Sequence, residues 1–348
     1  MGKRPEQSNK PQVTYVNGLG FIPETPKQAE QKRLIMQYNV LLFSILLLFF
    51  LRMVMYEPIV NLLSFAGLNI TINPLTSLVT MSEAAAQTAN ILYLLVYMGI
   101  PVISIVLYNR RLFRVRGFFK QPNPHTTRYG VIILTSVSVV AYFISSFFVS
   151  IMRSGGILVS PPAEAPPTEI TAFILYFLSA TLLPAFLEEL LFRGAILHAL
   201  RPFGDIVAVI VSTALYILVQ PSLNMMVYAA VIGMALGYFT VKSGSVWTAV
   251  AGSFTVKGLD ILRSLMQYHI SADLGSRFFY LSALVLLLLG AVAFILFVRR
   301  DRQAFQLYDA DTLLTNRTKV KFFFSNLGLW MVVVLAFLYV VRYIQIIG

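Results

Sequence analysis

The sequence predicts an all-α, polytopic integral membrane protein with about eight to nine transmembrane helices. Of its 348 residues, 57% are hydrophobic and only 12% are charged, whereas a soluble globular domain carries about 25% charged residues. The mean hydropathy is +0.76. Long apolar runs such as LLFSILLLFFL at 41–51 suit helices, and no segment alternates like the strands of a membrane barrel.

Nine apolar stretches have about the length that a helix needs to cross a bilayer, which is roughly 20 residues. They lie near 38–56, 91–108, 129–152, 170–190, 205–220, 223–241, 245–263, 278–298 and 326–346. The apolar segment 60–80 is broken by Asn and Pro, which favours a re-entrant or surface segment. The count is therefore nine, with eight as the alternative.

Lysine and arginine concentrate in alternate loops. Six lie in each of the stretches 1–38, 109–128 and 299–325, whereas 57–90 has none and 153–169 has only one. Because cytosolic loops of membrane proteins carry the excess of Lys and Arg, this pattern predicts a cytosolic N-terminus. The span 170–190 would then run inward, with its last residues near the cytosol.

The chain divides into a polar N-terminal tail at 1–37, a membrane domain at 38–298, a basic linker at 299–325 and a final helix at 326–348. There is no cysteine, which excludes disulfides and thiol chemistry. The net charge of +12 suits basic loops on anionic lipid, and no nucleic-acid-binding motif is present. Without cysteine or a transit sequence, we expect the plasma membrane of a bacterium, with the lipid bilayer as the first partner.

Charged residues interrupt the apolar run LEELLFRG at 187–194. Glu189 and Arg193 are four residues apart and share one helix face, so an internal ion pair, or an Arg193 that reaches the membrane surface, explains them. Glu188 points about 100° away and is not explained by that pair. Adjacent carboxylates at membrane depth usually face a cavity and mark a site.

EELLFRG resembles the first motif, EExxxR, of the CPBP family, also called ABI, of CAAX-processing and bacteriocin-immunity membrane proteins. STALYILVQ at 212–220 is similar to the second motif, an aromatic residue followed four residues later by histidine. VKSGSVWTAVAGSFTVK at 241–257 is similar to the stretch that leads to the third motif, a histidine followed four residues later by asparagine. The order of the three motifs fits a core at 170–263.

This resemblance implies an all-helical intramembrane endopeptidase that processes membrane-anchored or lipidated proteins. In such an enzyme the first glutamate, here Glu188, activates a water with help from the histidines, and the asparagine helps to hold the oxyanion. A divalent metal such as zinc is also implied. The candidate catalytic residues are Glu188, Glu189, Arg193 and Lys257.

The second and third motifs depart from the family pattern. Tyr216 keeps the aromatic position, but Gln220 and Ser253 replace the two histidines, and Lys257 replaces the asparagine. An amide and a hydroxyl cannot shuttle protons as histidine does, and an ammonium opposes a bound cation. His125, His198 and His269 do not complete a metal triad by spacing. We therefore expect no metal and no other cofactor, although the resemblance implies one.

Three roles for Lys257 remain open. It could replace the charge of the metal by pairing with Glu188 or Glu189. It could take part in catalysis beside Glu188, as a general base or as a group that stabilises an oxyanion. It could also reach the membrane surface or meet Asp260, three residues on.

Three functions remain open in consequence. The first is a glutamate-dependent endopeptidase of membrane-anchored or lipidated proteins. The second is a catalytically silent family member that acts as a membrane scaffold or a peptide-toxin immunity protein. The third is a transporter, which is disfavoured because no internal repeat is visible in the sequence.

Overall fold

The computed structural model describes residues 13–16, 20–23, 25–72, 79–110, 117–159 and 165–346. The chain is all-α, as predicted, apart from short strands. Its helices are α1 (Pro26–Val54), α2 (Tyr56–Phe65), α3 (Glu83–Tyr108), α4 (Pro124–Ser154), α5 (Ile170–Phe203), α6 (Asp205–Leu218), α7 (Leu223–Ser243), α8 (Val246–Leu265), α9 (Ala272–Arg300), α10 (Asn316–Phe324) and α11 (Leu327–Val341). Three antiparallel strand pairs are β1 (Val13–Val16) with β2 (Gly20–Pro23), β3 (Ile70–Ile72) with β4 (Val79–Met81), and β5 (Ile157–Leu158) with β6 (Gln345–Ile346).

The number of membrane-spanning helices is smaller than predicted. Among the described residues, six helices are long and apolar enough to cross a membrane, namely α1, α3, α4, α5, α7 and α9. The pair α10–α11, bent by 57°, would make a seventh span. The predicted span 205–220 became α6, whose 14 residues reach about 21 Å. The predicted span 245–263 became α8, which carries Lys257, Asp260 and Arg263.

One end of the bundle gathers around the basic stretch 299–325, and we call this end the basic face. The backbone N–H of Asp205, at the start of α6, donates to the carbonyl oxygen of Tyr308 at 3.1 Å. Lys242, near the end of α7, pairs with Asp301 at 3.3 Å. The start of α4 lies beside the end of α7, so it belongs to the same face.

The other ends of these helices meet at what we call the opposite face. The Ser145 hydroxyl, late in α4, donates to the carbonyl oxygen of Asn224 at the start of α7, at 2.7 Å. Ile157, which follows α4, pairs with Ile346 beyond the end of α11. Helices α4 and α7 therefore run antiparallel between the two faces.

Segment 60–80 does not form a spanning helix in its described part. Helix α2 ends at Phe65, and Ile70 of β3 then pairs with Met81 of β4. This agrees with the predicted surface or re-entrant segment, while 73–78 lies outside the described residues. The Asn and Pro of the segment are poor residues for a continuous membrane helix.

Helix α5 is longer than the predicted span 170–190. It continues to Phe203, because the residues after the motif are mostly good helix formers. It ends at Gly204, whose φ of +115° is a conformation that glycine adopts most readily. Glu188 and Glu189 therefore lie near the middle of the helix, and the expectation that they lie near its cytosolic end was wrong.

Glycine permits a close approach between α9 and α4. A Cβ atom added to Gly290 would overlap the side chain of Ser136 on α4. Helix α4 also contacts α7 and α8, and Gly252 of α8 lies so close that an added Cβ would be 2.7 Å from the Leu134 side chain. Small residues at such crossings are a general device of helix packing in membranes.

We therefore expect Gly290→Ala to lower the thermal unfolding midpoint of the protein in detergent. Overpacking a close contact costs about 1–3 kcal/mol, and this contact includes the Ser136 side chain. Gly99→Ala is the matched control, since nothing lies within 4 Å of an added Cβ there and a helical Gly→Ala change is then neutral or stabilising. Equal midpoints for both variants would show that α4 and α9 do not approach this closely.

Candidate functional site

The helix that carries the motif departs twice from regular α geometry. Its π-helical segments cover Leu178–Leu182 and Leu190–Ile196. Pro184 follows the first segment, and proline clashes with the carbonyl group four residues earlier in a regular helix, which a wider turn relieves. The second segment begins directly after Glu189 and includes Arg193. Such π-helical turns are rare in proteins, and those that occur are often found at functional sites.

The innermost feature of the site is an ion pair that is sealed from solvent. Arg193 Nη1 donates to Glu189 Oε1 at 3.1 Å, and both side chains are 0% exposed. Arg193 Nη2 also donates to the Gly233 carbonyl oxygen of α7 at 3.3 Å. The guanidinium lies 4.4 Å from the ring centroid of Tyr216 on α6, within the range of a cation–π contact.

Ser253 of α8 completes this inner pair. Its hydroxyl donates to Glu189 Oε1 at 2.8 Å, so the residue at a histidine position of the third motif binds the second glutamate. Among the described residues, neither Glu189 Oε2 nor Arg193 Nε has a hydrogen-bond partner. Both partners of Glu189 therefore bind the same oxygen, Oε1, and the side chain has no contact with solvent.

Glu188 forms a second, more open pair beside the first. Lys257 Nζ of α8 donates to Glu188 Oε1 at 3.2 Å, and the Tyr216 hydroxyl donates to Oε2 at 3.3 Å. The Lys257 and Glu188 side chains are 28% and 16% exposed. The predicted pairing of Lys257 with a glutamate is therefore present, with Glu188 as the partner, and no ion pair with Asp260 occurs among the described residues.

Glu188 and Lys257 face a cavity of about 140 Å³, which we call the site cavity. Its other lining residues are Tyr216, Gln220, Met225, Tyr228, Ile232, Leu236, Gly252, Ser253, Val256 and Asp260. They come from α6, the turn after it, α7 and α8. A space of this size holds several water molecules.

The structure brings together most of the residues that the motifs selected. Glu188, Tyr216, Gln220, Ser253 and Lys257 all line the site cavity. Gln220 takes part least, since its amide nitrogen donates to the Tyr216 carbonyl oxygen at 3.1 Å. Glu189 and Arg193 lie behind the wall and not in it.

Sequence reasoning missed two of the polar residues that line the cavity. Asp260 was considered only as a partner for Lys257, although it lines the cavity and is exposed. An aspartate in an apolar helix was the available signal. Tyr228 was not selected at all, because an aromatic residue in an apolar helix gives no signal of its own.

The residues present do not fit a divalent metal. In the described part of the chain, no group of three or more His, Cys, Asp or Glu side chains could hold a metal ion. The Lys257 ammonium contacts Glu188, where it would repel a cation. Ser253 and Gln220 offer weak neutral donors where metal sites use imidazole, thiolate or carboxylate.

The histidines do not compensate for this. His198 Nδ1 lies 2.8 Å from the Arg193 carbonyl oxygen and its ring packs against Phe118, outside the residues that line the site cavity. His125 lies in the first turn of α4, and His269 is exposed beyond the end of α8. No described histidine can therefore replace those missing from the motifs.

We expect Glu189→Gln to destabilise the protein strongly. The change leaves the Arg193 guanidinium buried without a counter-charge, which typically costs about 3–5 kcal/mol. The measurement is the unfolding free energy in mixed micelles. Glu57→Gln, at an exposed position of α2, is the matched control and should change stability little.

The double variant Glu189→Gln/Arg193→Met removes both buried charges and should recover much of that loss, since an apolar replacement of a buried pair is often nearly neutral. If the single variant were as stable as the Glu57→Gln control, the inner pair would not hold the bundle.

Lys257→Ala should destabilise by less, about 1–2 kcal/mol, because this pair is partly exposed. Adding Glu188→Gln should restore stability, since the carboxylate would no longer lie unpaired at membrane depth. Arg277→Ala, which breaks a pair with Asp273 whose side chains are 78% and 71% exposed, provides the surface reference of about 0–1 kcal/mol. A double variant no more stable than Lys257→Ala would contradict the pairing.

Residues 170–257 match a family model described as type II CAAX prenyl endopeptidase Rce1-like. The match covers about a quarter of the chain, from the first residue of α5 to Lys257, and so includes every residue that the motifs selected. No curated protein and no solved structure was found to match the chain. The resemblance to the CPBP family that the motifs predict is confirmed over residues 170–257.

Proposed function

We propose that this protein is a membrane-embedded binding protein that holds a membrane-anchored or lipidated peptide beside Glu188 without hydrolysing it. The observation that carries the proposal is the engagement of both Glu188 oxygens, one by Lys257 and the other by Tyr216. A general base must be within hydrogen-bond reach of the water that it activates. Here a water must compete with an ammonium and a hydroxyl for that carboxylate.

The surroundings of Glu188 also argue against hydrolysis. Among the described residues that line the site cavity there is no histidine, so the usual proton carrier near neutral pH is missing. The donor set does not fit a metal that could supply an activated water. Glu189 accepts hydrogen bonds from Arg193 and Ser253, so we assign it a structural role.

The residues that line the site cavity support a binding role. The cavity is lined both by apolar side chains, among them Met225, Ile232 and Leu236, and by polar groups of Gln220 and Lys257. Ligand sites commonly combine an apolar lining with a few polar groups that fix orientation. Immunity to a peptide toxin would be one form of such binding.

Catalysis without a metal is the second candidate. Lys257 is 28% exposed and lies at the cavity, where its ammonium could stabilise an oxyanion while Glu188 activates water. This candidate predicts that the protein cleaves a membrane-anchored peptide and that Glu188→Gln abolishes the cleavage.

We also propose an orientation in the membrane. The stretch 299–325 carries six Lys and Arg and forms the basic face, which by the positive-inside rule lies in the cytosol. Glu30, near the start of α1, accepts a hydrogen bond from the backbone of Leu313 at 2.7 Å, so the N-terminal side of α1 belongs to this face. The plasma membrane of a bacterium is the proposed location.

The decisive experiment uses a fluorescent prenylated CAAX peptide and the protein in lipid nanodiscs, with binding measured by anisotropy and peptide integrity by mass spectrometry. For the wild type we expect saturable binding and no cleavage of the peptide. With Glu188→Gln the peptide should stay intact as well. Ile232→Trp, which fills the cavity, should weaken binding about tenfold or more, whereas Phe147→Trp, at a position of α4 that is 70% exposed, should not. Cleavage by the wild type would support the second candidate, and absence of binding would refute the ligand class.

Restoring the family residues should create a metal site. We expect Gln220→His/Ser253→His/Lys257→Asn to bind zinc at close to one ion per chain, measured by elemental analysis after dialysis. The wild type and the single variant Lys257→Asn should bind far less, since neither supplies the imidazole ligands that zinc prefers. If the triple variant folds and yet takes up no zinc, Gln220 and Ser253 do not occupy the histidine positions.

A further inference from the structure

A second and much larger cavity adjoins the site cavity. We call it the vestibule, and its volume is about 710 Å³. It is lined by Tyr142, Ser145, Ser146, Val149, Ser150, Asn224, Met225, Tyr228, Asp260, Arg263, Ser264, Gln267 and Tyr268. Met225, Tyr228 and Asp260 line both cavities, so the two spaces meet at these residues.

The lining of the vestibule is polar for a space between membrane helices. Eleven of its thirteen lining residues carry a polar side-chain group. The hydroxyls of Ser145 and Ser150 donate to backbone carbonyl oxygens. The exposed side chains of Asp260 and Gln267 have no hydrogen-bond partner among the described residues, so they face water or a ligand, because hydrocarbon cannot satisfy them. The vestibule is therefore a water-accessible chamber whose size matches that of small-molecule sites, about 300–1,000 Å³.

Two opposite charges face this chamber from α8. Asp260 is exposed and, among the described residues, makes no hydrogen bond or ion pair. Arg263 donates to the Tyr142 hydroxyl at 3.3 Å and its guanidinium lies 4.4 Å from the Phe279 ring centroid. No carboxylate of the described residues lies within ion-pair distance of that guanidinium, so both charges remain available to a ligand.

The vestibule lies at the opposite face of the bundle. Ser150 is near the end of α4, Asn224 is near the start of α7, and Gln267 follows the end of α8. These ends are remote from Lys242 and Asp301, which pair at the basic face. With the basic face in the cytosol, the vestibule opens away from the cytosol.

We propose that the vestibule binds a short peptide with free termini that enters from the non-cytosolic side, its ammonium at Asp260 and its carboxylate at Arg263. The tyrosine rings of Tyr228 and Tyr268 and the serine hydroxyls are suited to a peptide backbone and an ammonium. This site adjoins the pocket beside Glu188 and shares Asp260 with it. The side of entry rests on the proposed orientation, and the proposal stands whether or not the pocket beside Glu188 hydrolyses anything.

The side of entry can be tested directly, because the chain has no cysteine. Single variants Ser150→Cys, Ser264→Cys and Ser325→Cys are treated with a membrane-impermeant maleimide in right-side-out vesicles. The first two should react, and Ser325→Cys, an exposed serine of the basic stretch, should react only after detergent opens the vesicles. Reaction of Ser264→Cys only in inside-out vesicles would overturn the assigned side, and labelling of Ser264→Cys and Ser325→Cys from one side would overturn the geometry.

The ligand class is tested by protection of Ser264→Cys from the same reagent. Trialanine with free termini should slow labelling about tenfold at ten times its Kd, whereas N-acetylated and C-amidated trialanine should each protect only at about tenfold higher concentration. Asp260→Asn should remove only the preference for a free amine, so that the N-acetylated peptide protects as well as free trialanine. Arg263→Gln should remove only the preference for a free carboxylate, so that the C-amidated peptide protects as well as free trialanine. Each variant thus controls for the fold of the other. Equal protection by all three peptides, or by none, would overturn the proposal.

Discussion

A charge carried into the interior of a membrane helix bundle must be neutralised where it lies, and the Glu189–Arg193 pair does this within one turn of α5. Arg193 then binds the Gly233 carbonyl of α7 and the ring of Tyr216 on α6, while Ser253 of α8 binds Glu189. Four helices therefore converge on one pair of opposite charges. The cost of separating those charges in a medium without water fixes how the four helices meet.

The neighbouring glutamate has a different environment, although the two are adjacent in the chain. Glu189 and Arg193 are fully buried, whereas Glu188 and Lys257 keep 16% and 28% of their side-chain surface exposed. Helical rotation directs the two carboxylates to different sides of α5, one into packed protein and the other to a cavity. The first carboxylate holds the structure, and the second is available for function.

The parts of the fold that depend on local sequence were predictable. Long apolar runs identified most of the helices. The resemblance to the third motif connected Lys257 with the glutamates, and an ion pair with one of them was one of the three roles left open for it. The choice of Glu188 as its partner was not predictable, since it depends on how α8 is rotated against α5. The continuation of α5 to Phe203 was misjudged because a search for membrane-length apolar runs stops at charged residues such as Arg193.

The role of Asp260 could not be inferred from the sequence for a different reason. Its surroundings are formed by α4 and α7 as well as its own helix, so its exposure depends on long-range packing. The same applies to Tyr228 on α7. From the sequence, a polar residue in an apolar helix indicates that a water-filled space exists. It does not indicate how large that space is or which other residues line it.

The π-helical segment Leu190–Ile196 bears on how this chain can change. It places an extra residue in the turn between the glutamates and the buried half of α5. Because the wider turn absorbs that residue locally, deleting one residue there would restore regular winding and leave the side chains before and after it on nearly the same faces. The same deletion from a regular turn would rotate the two halves of the helix by about 100° relative to each other. The helix can therefore lose a residue after Arg193 with Glu188 still directed at Lys257, which a regular helix could not do.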